Sequence, residues 1–190
     1  MPVGPLIIVS GPAGAGKNTL IARAIQVFAP RLRHSVSATT REPRRGEVDG
    51  IHYHFWTRDR FEAAVANGEF LEYATVFGRH SYGTPRSEVE PFRAKGTGVI
   101  LDIDVQGAAQ LRHTCPDACS VFLDTPPGAY ERRLRERGTD SEEAIQRRLA
   151  EARVELARAG EFDRRIVNDD LARAADELCA IIRERFEKAQ

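Results

Sequence analysis

Gly11, Gly14 and Gly16, followed at once by Lys17, place the phosphate-binding residue types within one short stretch, GPAGAGK. Glycines let backbone N–H groups approach a polyphosphate closely, and a helix that starts there points its positive end at the same anion. Lys17 adds a mobile ammonium for the outer phosphates. The stretch follows the P-loop pattern GxxxxGK[ST] at every position but the last, where Asn18 stands in place of Ser or Thr. The hydroxyl usual at that point helps to hold Mg²⁺. Thr19 offers one a residue later, but adjacent residues on a helix do not face the same way.

Two further groups bear charge in a pattern. Arg41 and Arg44 flank Pro43, and Arg45 follows. Two guanidinium forks held that close can clamp one phosphate. Asp102 and Asp104 end the apolar run Val99–Leu101, where a carboxylate without a partner is costly, so a metal–water shell or an arginine is expected beside Asp102. Arg132, Arg133, Arg135 and Arg137 form a second basic cluster. Compact basic clusters in a balanced chain suit a small anionic ligand.

The elements that must position these groups follow from the patterning. Leu6–Val9 reads as a strand buried on both faces. Leu20, Ile21, Ala24, Ile25 and Phe28 recur at helical spacing, and Pro30 stops that helix. A short strand is expected around His34–Ala38, then a surface loop over 39–47, then a strand over 51–55 with His52 and His54 on a solvated face. Thr57 caps a helix over 58–66, with Trp56 and Phe61 spaced as a hydrophobic staple and Gly68 ending it. Phe70–Val76 is a strand with Glu72 and Tyr73 on opposite faces. Gly78–Gly83 reads as a turn, Thr84-Pro85 as the opening of a helix, and Pro91 as its bend or restart. Further strands are expected at 99–104, 118–123 and 164–167, and helices at 105–112, 129–136, 141–159 and 170–187.

Strands that alternate with helices imply an α/β fold, a parallel P-loop sheet with helices on both faces. Ligands bind beyond the carboxyl ends of such strands, so the glycine loop and Asp102/Asp104 should meet in one cleft. The segment 36–94 breaks the alternation and reads as an inserted, mostly antiparallel lobe. The expected parts are a core of about 1–35, 95–125 and 160–190, the lobe at about 36–94, and a helical lid at about 126–159.

At 190 residues, one domain with inserted lobes is expected. Lys plus Arg and Asp plus Glu are 28 each, and no stacking aromatics interleave the arginines, which argues against a nucleic-acid binder. Cys115, Cys119 and Cys179 form no second zinc pair, and thiols in a reducing cytoplasm are expected. Leu6–Val9 is too short for a membrane span and has no basic segment before it.

SGPAGAGK, SVSATTREPRRGEVDG, YHF, FLEYA, YGT, ILDIDVQG, RGTDSEEAIQRRL and IVNDDL stand in the order found in guanylate kinases, and the chain resembles that family over nearly its whole length. The resemblance implies phosphoryl transfer from ATP to GMP, and to dGMP, with Mg²⁺. It implies ATP on Gly11, Pro12, Ala13, Gly14, Ala15, Gly16, Lys17, Asn18 and Thr19. Asn168 lies near the adenine or else caps the last helix. The GMP phosphate falls to Arg41, Arg44, Tyr53 and Tyr82. Glu72 reads guanine, with Ser37, Thr84 and Asp104 as auxiliary contacts, and Asp102 belongs to the GMP side and the metal side alike. A carboxylate can accept from guanine N1–H and its amino group together, and adenine has no N1–H to offer. Lys17, Arg41, Asp102, Arg137 and Arg148 are the expected catalytic set. Mg²⁺ is held mainly by phosphate oxygens and water, near Asn18, Thr19 and Asp102. Adenylate kinases likewise have no hydroxyl directly after the lysine.

Overall fold

The structure is a computed structural model that describes residues 2–76, 80–126, 128–136 and 141–189. Nine strands and seven helices run in the order β1 (Leu6–Ser10), α1 (Lys17–Phe28), β2 (Leu32–His34), β3 (Ala38–Thr39), β4 (His54–Phe55), α2 (Arg58–Ala66), β5 (Phe70–Val76), β6 (His80–Pro85), α3 (Glu90–Arg93), β7 (Gly98–Asp102), α4 (Val105–Thr114), β8 (Cys119–Asp124), α5 (Ala129–Glu136), α6 (Glu142–Ala157), β9 (Arg164–Val167) and α7 (Leu171–Lys188) among the described residues.

The main sheet has the order β2-β7-β1-β8-β9, and all its pairings are parallel. Alternation explains its double burial. Ile7 and Val9 of β1 point into one cluster with Leu20 and Ala24 of α1 and Leu178 and Ile182 of α7. Leu6 and Ile8 point the other way, against Val99, Leu101 and Leu111. A strand covered on both sides reads as an unbroken apolar run, which is what Leu6–Val9 is.

The second sheet, β4-β3-β6-β5, is mixed. β3 with β6 and β5 with β6 are antiparallel, while β3 with β4 is parallel. One of its faces is closed by α2 through Ala38, Phe61, Ala64 and Phe70. Thr57 caps α2 by accepting from Arg60 N at 3.3 Å, Trp56 meets Phe61 with ring centroids 6.4 Å apart, and Gly68 follows at φ 68°.

Several elements differ from the sequence expectation. The strand read at His34–Ala38 is two strands in two sheets. β2 ends as Ser35 N bonds Ile100 O, and residues 35–37 cross to β3. The strand at 51–55 shrinks to His54–Phe55, because Val48–His52 form a turn in which Val48 N donates to His52 Nδ1. The turn at Gly78–Gly83 is a strand from His80 onward, paired residue by residue with β5. Residues 77–79 lie outside the described residues. Thr84-Pro85 ends β6 and opens only one 3-10 turn, Arg86–Glu88 with Pro85 as its N-cap, before α3 starts with Pro91 in its first turn. The strand at 99–104 stops at Asp102, because Asp104 is the N-cap of α4.

Candidate active site

α1 starts directly at Lys17, with Gly16 as its N-cap at φ 94°. No side chain caps it, so its first N–H groups are left for another acceptor. A Cβ on Gly16 would lie 2.5 Å from Asn168 Nδ2, and one on Gly11 would lie 2.2 Å from Leu123 O. The loop therefore hugs the ends of β8 and β9 more closely than a side chain allows. Asn168, 2% exposed, donates from Nδ2 to Ala15 O at 2.7 Å. It does not cap the last helix, since Asp170 does so by accepting from Arg173 N at 2.8 Å.

Lys17 Nζ donates to Gly11 O at 2.6 Å and stands 3.8 Å from Asp102 Oδ1. Burial pushes the Asp102 carboxyl up, while Lys17 and His34 pull it down. The expected partner of Asp102 is thus a lysine ammonium rather than an arginine. Asn18 and Thr19 share the cavity wall with Lys17.

That cavity measures 940 Å³ and is lined by Lys17, Arg41, Arg44, Tyr53, Tyr82 and Arg148, among others. A second cavity of 700 Å³ shares Asn18, Arg41, Arg44, Tyr53 and Tyr82 with it and adds Ser37 and Asp102. The glycine loop and the arginine pair therefore face one space. Arg41 is tightly held: Nη1 and Nη2 donate to the two oxygens of Glu47 at 2.9 Å each, and Nη1 also donates to Glu42 O at 2.6 Å. Its guanidinium lies 5.5 Å from the Tyr53 ring centroid, and Tyr53 meets Tyr82 edge-on at 5.9 Å. Arg41, together with the Arg44 backbone, holds the Glu47 carboxyl down at about 2.

Glu72, Thr84 and Asp104 line neither of these cavities and form a cluster of their own. Glu72 is 5% exposed and accepts from Thr84 Oγ1 at 2.6 Å. Burial pushes its carboxyl up to about 7, and Asp104 adds to that while the Thr84 hydrogen bond opposes it. Asp104 Oδ1 accepts from Gln106 N and Gly107 N at 3.0 and 2.8 Å, so one of its oxygens is spent on the helix cap. The register ties both groups together, because Glu72 pairs with Thr84 and Ala74 with Tyr82. Thr84, Tyr82 and Glu72 thus share one face of the second sheet.

On α6, Arg148 and Arg147 both reach the larger cavity, as does Glu151. Arg137 lies outside the described residues. Arg147, Glu151 and His80 line the larger cavity and Glu47 the smaller one, and none of the four is among the residues that the sequence pattern singles out. Glu47 shares the arginine-rich loop with Glu42, so its residue type and position alone do not single it out. No cluster of three or more His, Cys, Asp or Glu side chains able to hold a metal occurs among the described residues. All three cysteines are free, and no described helix is long and apolar enough to cross a membrane.

The family model described as "Guanylate kinase" matches residues 4–185. A guanylate kinase of Symbiobacterium thermophilum is 52% identical over 183 residues, which is 95% of this chain and 85% of the relative. One of Synechococcus sp. (strain CC9902) is 51% identical over 176 residues, 92% of this chain and 93% of the relative. Among solved structures, the crystal structure of guanylate kinase from Anaplasma phagocytophilum superposes with a TM-score of 0.76 at 32% identity, covering 97% of this chain and 87% of that one.

Proposed function

The chain belongs to the guanylate kinase family, and from that premise we propose that it transfers the γ-phosphoryl group of ATP to GMP, and to dGMP, giving ADP and GDP or dGDP. The observation that carries the reading is one 940 Å³ cavity lined both by Lys17 of the glycine loop and by Arg41, Arg44, Tyr53 and Tyr82. Phosphoryl transfer needs little covalent help from the protein. It needs two anions neutralised and held in line.

ATP seats its phosphates on the loop 11–19, where the free N–H groups of α1 and the Lys17 ammonium meet the β- and γ-phosphates. Lys17 exchanges its bond to Gly11 O for a phosphate oxygen, and Asn168 steadies the loop through Ala15. GMP places its phosphate against Arg41, Arg44 and the hydroxyls of Tyr53 and Tyr82. Same-face residues on a strand are about 7 Å apart. That spacing lets the guanine of the same nucleotide reach Thr84 and Glu72, with Ser37 and Asp104 beside it. A GMP phosphate oxygen attacks the γ-phosphorus, the bond to the β–γ bridging oxygen breaks, and ADP leaves with that electron pair. The attacking oxygen is already anionic, so no general base is required. Arg148, and Arg137 by family resemblance, screen charge on the moving group.

Mg²⁺ fits this set. It favours one or two carboxylates together with phosphate oxygens and waters over a full protein cage. Asp102, beside Lys17, would supply one carboxylate, and Asn18, which lines both cavities, would stand nearby with Thr19 on the larger one. When bound, the ion neutralises β- and γ-phosphate charge. The free thiols suit a reducing cytoplasm.

A binding module of the same fold is the competing reading, and Lys17 with its complete glycine loop argues against it. An acceptor screen with ATP and Mg²⁺ against GMP, dGMP, AMP, UMP and ribose phosphates tests the proposal. ADP release is expected with GMP and dGMP. No release with GMP would refute the activity, and equal release with AMP would refute the role of Glu72.

A further inference from the structure

The second sheet is joined to the main one by two chain crossings, residues 35–37 after β2 and residues 86–97 before β7. Glu88, on the second crossing, bonds to both sides of the junction. Its Oε2 accepts from Arg33 Nη2 at 2.7 Å and from Val36 N at 3.4 Å, and its backbone oxygen accepts from the other Arg33 nitrogen. Its Oε1 lies 3.0 Å from His54 Nε2 on β4. Arg33 belongs to the edge strand β2 and stacks 3.7 Å from the ring centroid of Phe92 in α3. The neighbouring Val89, 1% exposed, is packed among Leu6, Ile8 and Leu101 of the main core. One carboxylate thus ties a firmly anchored crossing to the edge of the main sheet and to a strand of the second.

Stability alone is a poor reason for such a cluster, since exchanging part-buried ion pairs for apolar residues is often neutral or favourable. Orientation is a better one. We infer that Glu88 is a positioning residue whose bonds to Arg33 and His54 set the angle of the second sheet over the phosphate cavity, and with it the grip on the acceptor nucleotide.

The route from His54 to that grip is short. His54 N donates to Ser37 O at 2.9 Å, Tyr53 is its chain neighbour, and β4 pairs with β3, after which Arg41 comes two residues on. A shift at His54 therefore moves Tyr53 and Arg41 together. Burial raises the Glu88 carboxyl, but the Arg33 and His54 bonds outweigh it and hold the group below the ordinary carboxylate range. Glu88 touches neither cavity, so it acts through others.

The inference rests on the second sheet being the acceptor-binding lobe. Its test compares Glu88→Ala and Glu88→Gln with the full-length wild type. GMP affinity is read from the fluorescence of Trp56, the one tryptophan, whose ring lies 6.2 Å from His54, and ATP affinity from calorimetry. Glu88→Ala should weaken GMP binding by ~5- to 20-fold, with Glu88→Gln recovering part of the loss, in line with the worth of charge-assisted hydrogen bonds. ATP affinity and turnover at saturating substrates should stay within about two-fold, because the glycine loop is untouched. Should Glu88→Ala not fold, His54→Ala removes only the second-sheet arm and should still weaken GMP by ~3-fold with ATP unchanged. GMP and ATP affinities falling together, or GMP affinity unmoved, would overturn the role. A wild-type protein that binds ATP but no GMP would instead overturn the reading of the second sheet, and this inference with it.

Discussion

Replacing Glu72 by glutamine should make the protein more stable and a worse enzyme, with a pH signature that separates the two effects. In the folded chain the Glu72 carboxyl ionises near 7, while in the unfolded chain it ionises near 4.5. Below pH 4.5 both states hold the proton and no penalty exists. As pH rises from 4.5 to 7 the unfolded chain has released the proton and the folded one has not, so stability falls. Above 7 the loss is complete, and at 1.36 kcal/mol per pH unit it amounts to about 3 kcal/mol. Burial at 5% exposure makes full solvent screening inapplicable. Glutamine keeps an acceptor for Thr84 Oγ1 but carries no charge to desolvate. Urea denaturation of both proteins from pH 4.5 to 8.5 should therefore give equal stabilities at the acid end and an advantage of ~2–3 kcal/mol for Glu72→Gln at the alkaline end. In the same variant the KM for GMP should rise ~10-fold or more, because a hydrogen bond to a charged group is worth ~1.5–3 kcal/mol. Parallel stability curves would refute the burial argument, and an unchanged KM for GMP would remove Glu72 from guanine reading.

Gly107→Ala puts a Cβ 2.4 Å from Glu72 Oε2, so the carboxylate must move; the KM for GMP should rise by ~5-fold or more with the KM for ATP unchanged, measured by steady-state kinetics. Glu47→Ala frees the Arg41 fork and the Arg44 amide, and the KM for GMP should rise by ~5-fold, a modest figure because the pair is partly exposed. Asn18→Ser should leave turnover within about three-fold, since Mg²⁺ leans on phosphates and water; a gain of tenfold at limiting Mg²⁺ would show the natural asparagine to be a handicap.

What could be read from the chain alone divides along a physical line. Leu6–Val9, the α1 stripe and the Thr57 cap each carry their signal within a few residues, and each is found where the pattern places it. β3 and β4 are two residues long, too short for any period, so one expected strand fused two and another ran too far. The partner sets were less legible still. Glu88 meets Arg33 and His54 across 55 and 34 positions, and nothing local marks it. Glu47 lies only six residues from Arg41, yet among arginines it reads as a solvated acid until the turn at Gly46 folds it back.

The same contacts explain why a cavity full of cations stands in a chain of zero net charge. Lys17 is engaged by Gly11 O and Asp102, Arg41 by Glu47, and Arg147 by Glu151. Unscreened, those side chains would repel one another across the pocket and destabilise the fold. Internal carboxylates remove that repulsion and also fix each donor's direction. Arriving phosphates then exchange for a carbonyl or a carboxylate instead of ordering a free side chain. Affinity in such a site is a difference between two sets of charge-assisted bonds, so a carboxylate can lower binding by competing or raise it by aiming its arginine. Glu47 touches both terminal nitrogens of Arg41 and the Arg44 amide, and Tyr82 adds a side-chain hydrogen bond to the same guanidinium, so its direction is fixed from two sides. That geometry favours aiming, which is why removing Glu47 should weaken GMP binding rather than strengthen it.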